Sequence, residues 1–504
     1  MKRFLLAAIM LLHGGSAISQ NYEFTFKFGK EIAPKLYIGQ YFKDTFIAID
    51  STEKGKDGSY TFKGKHHWDK GVYALYTSGS KKSLTDFTID DSYRFAIEYD
   101  SSFNHANTRV KGSQANRKMY EYIGVLNNAR IAFRDMEKLK KSADATLRAN
   151  AIHKSDSIKS RMKHYEDSML DANKQYLFFR NLKMFKSPEP PETMPQQEKG
   201  IYYRSHYWDN VDLGDHSLIY TQDLFNKMNL YFFGMLYHAD YDTIAKYSDI
   251  VLSKVENDPE MLQYFLDYIM PKYYRSTKNI GWDQVWCHLV RQYYLNGKCT
   301  WASEGELFNK RQTLEFLEKS IIGASGAELY MADSSQSSNT QDWISSHRFP
   351  QKYVILWFWD PDCHHCKAYT SELIQLYDSL TTAGNRNFEV YAIGYEADVT
   401  KWKQYIIKNK LPFVNVGGSN VNIDYQEAYN VHGAPTMIIL NADREIIMNK
   451  TIPIKSITKF LADYEKRHPE QQNRPLSRWQ TEGIRIWGQQ GYHATSNPKP
   501  KNDR

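Results

Sequence analysis

A multidomain architecture is predicted: an N-terminal antiparallel β domain, a central α-helical domain and a C-terminal α/β domain. Three observations predict it. Apolar residues alternate with polar ones through residues 21–115, and they recur at helical spacing through residues 116–325. Beyond that point apolar runs of strand length alternate with amphipathic stretches of helix length, and a pair of cysteines, Cys363 and Cys366, stands at one strand-to-helix junction.

The chain begins "MKRFLLAAIMLLHGGSAISQ", with a basic head, a short apolar run and then small residues, so residues 1–20 are expected to be a secretory signal peptide. The apolar run is too short to span a bilayer, and no cysteine follows it to accept a lipid. No later segment offers the roughly 18 uncharged apolar residues of a membrane span, so no stable membrane anchor is expected. The periplasm or cell envelope is the expected location, an oxidising space in which exposed dithiols need a dedicated electron partner. Basic residues exceed acidic ones by only seven, scattered along the chain, which argues against nucleic acid as a partner.

In the first domain Phe24, Phe26 and Phe28 alternate with polar residues, and Tyr60 and Phe62 follow an Asp57-Gly58 hairpin signal. Residues 116–186 carry Met119, Ile123 and Leu126, then Ile158, Met162, Tyr165 and Met169, as a helical hairpin would. The proline-rich run "SPEPPETMP" separates it from a second helical stretch, 187–325, whose aromatic runs read as helical core rather than as a cofactor box. A polar loop, Ser334 to Gln341, lies ahead of the strands and helices of residues 326–468. The tail, 469–504, is rich in Gln, Pro and Arg and is expected to be loosely ordered, although Trp479 and Trp487 could dock.

The thiols lie in "WFWDPDCHHCKAY". At the first turn of a helix, unpaired backbone N–H groups and the positive end of the helix dipole stabilise a thiolate, which makes Cys363 the natural nucleophile. Cys366, one turn on, is placed to attack a mixed disulfide on Cys363. His364 and His365 stabilise a thiolate when protonated, whereas Asp360 and Asp362 oppose it, so the direction of electron flow stays open.

These residues, together with "VHGAPTMIIL", resemble the thioredoxin superfamily, and specifically the exported thioredoxin-like proteins of the TlpA type. The resemblance covers about Gln351 to Lys466. It implies a thioredoxin-like fold in which Ala434-Pro435-Thr436 forms a cis-proline loop opposite the cysteines, with Ala434 and Pro435 lining the substrate groove. The upstream β and helical regions resemble poorly characterised modules that precede such domains in exported bacterial proteins, which suggests a role in presenting or choosing a partner.

Three positions depart from the family pattern. Asp362 replaces the Trp before the first cysteine, Trp357 replaces the buried acid six residues before it, and Tyr369 replaces a Glu three residues after the second. Both usual groups for deprotonating the resolving thiol are therefore missing, and Glu372 and His432 are the candidate substitutes.

Two other readings of the cysteine pair stand beside the redox one. Zinc could use Cys, His, His and Cys, although adjacent histidines on a helix point some 100° apart. A sealed structural disulfide closes so short a loop that it gains little stability. Cys287, in an amphipathic helix ending near Gly297, would reach Cys299 only in a strained disulfide; a buried free thiol is the other reading. The expected function is an exported thiol:disulfide oxidoreductase exchanging disulfides with protein thiols, with no small cofactor and with a membrane redox partner to recycle it. The alternative is a cell-envelope binding or scaffold protein whose thioredoxin-like domain is vestigial.

Overall fold

The computed structural model describes residues 20–78, 83–102, 105–274, 279–333, 343–395, 398–471 and 474–489. Apart from Gln20, the expected signal peptide lies outside them, as do the Ser334 to Gln341 loop and the chain from residue 490. The chain divides into two compact units, one of Met1–His238 with Tyr247–Phe265 and one of Ala239–Lys246 with Leu266–Arg504. The division falls inside the helical stretch expected over 187–325, not at its end.

Among the described residues of the first unit, eight strands form two four-stranded sheets. One has the order β4 (Ser59–His66), β1 (Gln20–Phe28), β7 (Arg94–Tyr99), β8 (Arg109–Lys111); the other runs β3 (Thr45–Glu53), β2 (Lys35–Phe42), β5 (Gly71–Thr77), β6 (Thr85–Ile89). The period-two alternation aims Phe24, Phe26 and Phe28 at one face, where they meet Phe62, Trp68, Phe87 and Phe95 in a single aromatic core. Phe24 stacks on Phe95 at 4.7 Å. All pairings are antiparallel except that of β1 with β7, which is parallel. The Asp57-Gly58 turn is present, with Gly58 at φ +82°. Its two flanking strands belong to different sheets, however, so it turns a corner instead of closing a hairpin within one sheet.

The helical hairpin consists of Gln114–Leu139, capped by Ser113, and Ala145–Ala172, capped by Asp144. Further along this unit, Trp208, Tyr231, Phe232 and Phe265 bury the aromatic runs against one another, as a helical core requires. Among the described residues no helix is long and apolar enough to cross a membrane.

The second unit is built on a seven-stranded sheet of order β10 (Trp343–Ser345), β9 (Tyr330–Asp333), β13 (Val414–Val421), β12 (Phe388–Gly394), β11 (Tyr353–Trp359), β14 (Thr436–Leu440), β15 (Ile446–Met448). Strands β11, β12 and β13 are parallel, and the rest pair antiparallel. Every residue of β11 is buried, as a central strand covered on both faces demands. Trp357, Trp359 and Cys366 belong to the core on one face, and Leu356, Phe358 and Tyr391 to the core on the other.

Part of the tail is more ordered than expected, and both of its tryptophans dock, as the sequence allowed. Residues Arg478–Gln489 form a helix packed on the segment before β11. Trp487 donates its ring N–H to the Arg348 carbonyl at 2.7 Å and stacks on Phe349, while Trp479 stands edge-on to the buried His347. A Cβ on Gly483 would lie 2.4 Å from the Phe349 carbonyl carbon, so the helix backbone rests directly on that segment. The polar composition suggests looseness because the aromatic face has no partner nearby in sequence; the partner lies about 130 residues upstream.

Candidate functional site

Strand β11 delivers the chain to a tight turn at Asp360-Pro361-Asp362. The Asp360 carboxylate accepts the Asp362 N–H at 2.7 Å, and the Asp360 carbonyl accepts that of Cys363 at 3.2 Å. Cys363 then occupies the N-cap of the helix His364–Thr382 with extended backbone angles, and its Sγ accepts the Cys366 N–H at 3.2 Å. A thiolate at this position satisfies an orphan helix donor and sits at the positive end of the dipole.

Across the groove the Ala434–Pro435 peptide bond is cis. The Ala434 carbonyl oxygen lies 3.8 Å from Cys363 Sγ. Thr451 Oγ1 donates to the Pro435 carbonyl at 3.1 Å and accepts the Met437 N–H at 3.1 Å, and Thr436 closes back on the Gly433 carbonyl at 2.6 Å. Cys363, Cys366, Ala434 and Pro435 are thus brought together from segments about seventy residues apart.

The two sulfurs differ in exposure. Cys363 is half-buried, whereas Cys366 has no exposed surface. Burial first, and then the contact with Cys363, push the Cys366 thiol up to about 12. Cys287 and Cys299 are also free, buried and pushed up to about 12, mainly by burial. Reduced native protein is therefore expected to take up one iodoacetamide per chain at pH 8, on Cys363, and four after unfolding. Adducts on Cys366 should rise only as the pH climbs toward 12, because burial favours its neutral form. Mass mapping of labelled peptides checks this, and rapid native labelling of Cys366 would contradict it.

His364 and His365 are exposed, their rings 5.9 Å apart and inclined at 66°. Among the described residues no group of three or more His, Cys, Asp and Glu side chains is arranged to hold a metal ion. Asp362 forms an exposed ion pair with Lys401 at 2.9 Å, which holds its carboxyl below the usual range. That lysine lies in the first turn of the helix Val399–Asn409, and nothing local to the cysteines announced it. Part of the negative charge set against the thiolate is thereby matched.

Trp357, at the position where the resemblance implies an acid, is buried. It donates to Thr370 Oγ1 at 3.1 Å and stacks on Tyr369. Glu372 is exposed, and His432 is exposed and hydrogen-bonded to Asn430. The carboxylate whose charge acts on Cys366 is that of Asp360.

Strand, N-cap thiol, second thiol one turn on and cis-proline opposite define a dithiol centre on a thioredoxin-like domain. Residues 351–446 match the family model described as thioredoxin-like. Residues 146–320 match a domain of unknown function, DUF5106. Among solved structures the chain is similar to a thioredoxin-like protein from Bacteroides caccae, at 18% identity, covering 56% of this chain and 98% of that one with a TM-score of 0.43. It is also similar to a domain of a possible thiol-disulfide isomerase from Cytophaga hutchinsonii, at 28% identity over 30% of this chain and 97% of that one, TM-score 0.26. A thiol:disulfide interchange protein from a Bacteroides species aligns at 18% identity over 30% and 96%, TM-score 0.24. No curated protein matches the chain.

Proposed function

We propose that the protein is an exported thiol:disulfide oxidoreductase acting on protein partners through Cys363 and Cys366. The observation that carries this reading is the half-exposed Cys363 Sγ at a helix N-cap, receiving the Cys366 N–H and facing the carbonyl of Ala434 beside a cis-proline.

In the reducing direction the Cys363 thiolate attacks one sulfur of a partner disulfide. A Cys363–partner bond forms, the partner's S–S bond breaks, and its other sulfur leaves as a thiolate. Cys366 then gives up its proton and attacks Cys363 Sγ, releasing the partner's second thiolate. Two electrons pass from the dithiol to the partner, and Cys363–Cys366 becomes the disulfide. In the oxidising direction each step runs backwards. Export would place the centre in the cell envelope, where a membrane redox partner would return or remove the two electrons. Asp360, the carboxylate whose charge acts on Cys366, is the candidate to take the Cys366 proton. Ala434 and Pro435 would hold the partner backbone, and His364, His365 and the Asp362–Lys401 pair would set the thiolate's stability. Trp357 in place of an acid favours the vestigial alternative, in which the upstream regions serve as a binding scaffold.

Titration of the purified protein in glutathione buffers, with thiols trapped by alkylation and read by mass, tests the proposal. The Cys363–Cys366 pair is expected to titrate as one two-electron couple between about −270 and −120 mV, the span from thioredoxin to the strongest disulfide donors. A value near the lower end makes it a reductant and one near the upper end an oxidant. A pair that stays oxidised or stays reduced across that span sinks the proposal.

A further inference from the structure

The helix Glu304–Glu318 belongs to the same unit as the dithiol, and it meets the loop that leads into the cis-proline. The Phe316 ring stands 6.0 Å from that of His432, inclined at 38°. One turn on, Lys319 donates to Glu427 at 2.6 Å, with its ammonium 6.0 Å from the Phe316 ring centroid. The same helical region also grips the chain after the proline. Asn449 donates to the Ser320 carbonyl at 3.0 Å, and Lys450 pairs with the buried Asp283 at 2.6 Å. The next residue, Thr451, is the one that holds the Pro435 carbonyl. The redox loop is therefore braced on both sides by residues from outside the thioredoxin-like segment.

This bracing leaves surface uncovered. Phe316 is only half-buried and His432 is exposed. Ala434, whose carbonyl faces Cys363, follows His432 by two positions, at most about 7 Å of chain. The Phe316 and His432 rings, 6.0 Å apart, adjoin the stretch of chain along which a polypeptide joined to Cys363 would lie.

We propose that Phe316 and His432 form a wall of the partner groove that receives an aromatic or large aliphatic side chain close to the partner's cysteine, making Phe316 a specificity-determining residue. The proposal rests on the thiol–disulfide reading of Cys363. It makes the last helix of the segment matched by DUF5106 a part of the redox groove. An offset or tilted aromatic contact on this wall adds to the area buried there, and the Lys319–Glu427 pair fixes the helix that carries Phe316.

The test uses the full chain and three substrates: oxidised glutathione and two disulfide-bonded peptides differing only in Tyr or Gly two residues from the cysteine. Wild type is expected to prefer the Tyr peptide by about tenfold in kcat/KM, chiefly through KM. Phe316→Ala should bring the two peptides within about twofold of each other and leave the glutathione rate within about twofold of wild type, while Phe316→Tyr keeps the preference. No preference in wild type, or a preference that survives Phe316→Ala, overturns the wall. A parallel fall for all three substrates also overturns it, since the helix would then merely support the site. If Phe316→Ala does not fold, Phe316→Leu and the wild-type preference decide the question. Failure of wild type to react with any of the three would instead refute the exchange reading itself.

Discussion

Replacing Cys363 with serine is expected to lower disulfide exchange by roughly three to six orders of magnitude. The hydroxyl accepts the Cys366 N–H about as well as sulfur does and leaves the helix N-cap intact. What it cannot supply is a sulfur that attacks a disulfide and forms an S–S bond to the partner. The loss therefore reports the sulfur and not the scaffold. Cys366→Ala should behave differently. The first step survives, but no second thiol stands next to Cys363 Sγ to resolve the intermediate, so one partner molecule per chain should accumulate as a mixed disulfide. Non-reducing mass spectrometry with a disulfide peptide reads both outcomes. Wild-type turnover in Cys363→Ser would end the enzymatic reading and leave the scaffold alternative in its place.

Arg444→Ala is expected to cost roughly 3–5 kcal/mol of stability. The side chain has no exposed surface. Its Nε donates to the His347 carbonyl at 2.8 Å and one Nη to that of Phe349 at 2.8 Å; the other Nη reaches Asn441, Lys352 and Gln351 at 3.1 to 3.4 Å. One guanidinium thus satisfies most of the carbonyls of the segment that feeds β11, the same segment on which the tail helix rests. Removing it strands buried acceptors, each worth about 1–3 kcal/mol and not additive. Lysine, with no planar fork of donors, should recover less than half of the loss. Arg444 also has φ +65°, a left-handed backbone that Gly adopts with less strain than Ala. Arg444→Gly should therefore be less damaging than Arg444→Ala by about 1 kcal/mol. Urea unfolding midpoints measure these differences. A change under about 1 kcal/mol for Arg444→Ala would refute the clip. The exchange rate should hold, because Arg444 binds the chain before β11 begins and Cys363 follows its end, about 20 Å away along the strand.

The contrast between these two residues tracks what a chain discloses about itself. The dithiol was legible because its chemistry is local: an apolar strand, two cysteines one helical turn apart and the Gly-Ala-Pro-Thr run are each written in a few consecutive residues. The β alternation and the helical hairpin were legible for the same reason, since period and capping are near-neighbour properties. The parallel pairing of β1 with β7 was not, because alternation says which face a residue takes and nothing about which strand lies beside it. Nor could composition show that the tail helix finds Phe349, or that Arg444 finds five carbonyls.

At the site itself the residue types and their spacing were enough to pick out the two sulfurs that the structure places beside the Ala434–Pro435 loop. Their other surroundings came from packing alone: Lys401 against Asp362, Thr370 at the Trp357 ring N–H, and Phe316 beside His432, whereas Ala434 opposite Cys363 was already expected from the resemblance. The physical reason is that a contact across tens or hundreds of residues depends on how whole elements pack. The same exposed lysine or half-buried phenylalanine, read in its own stretch of chain, looks like any other.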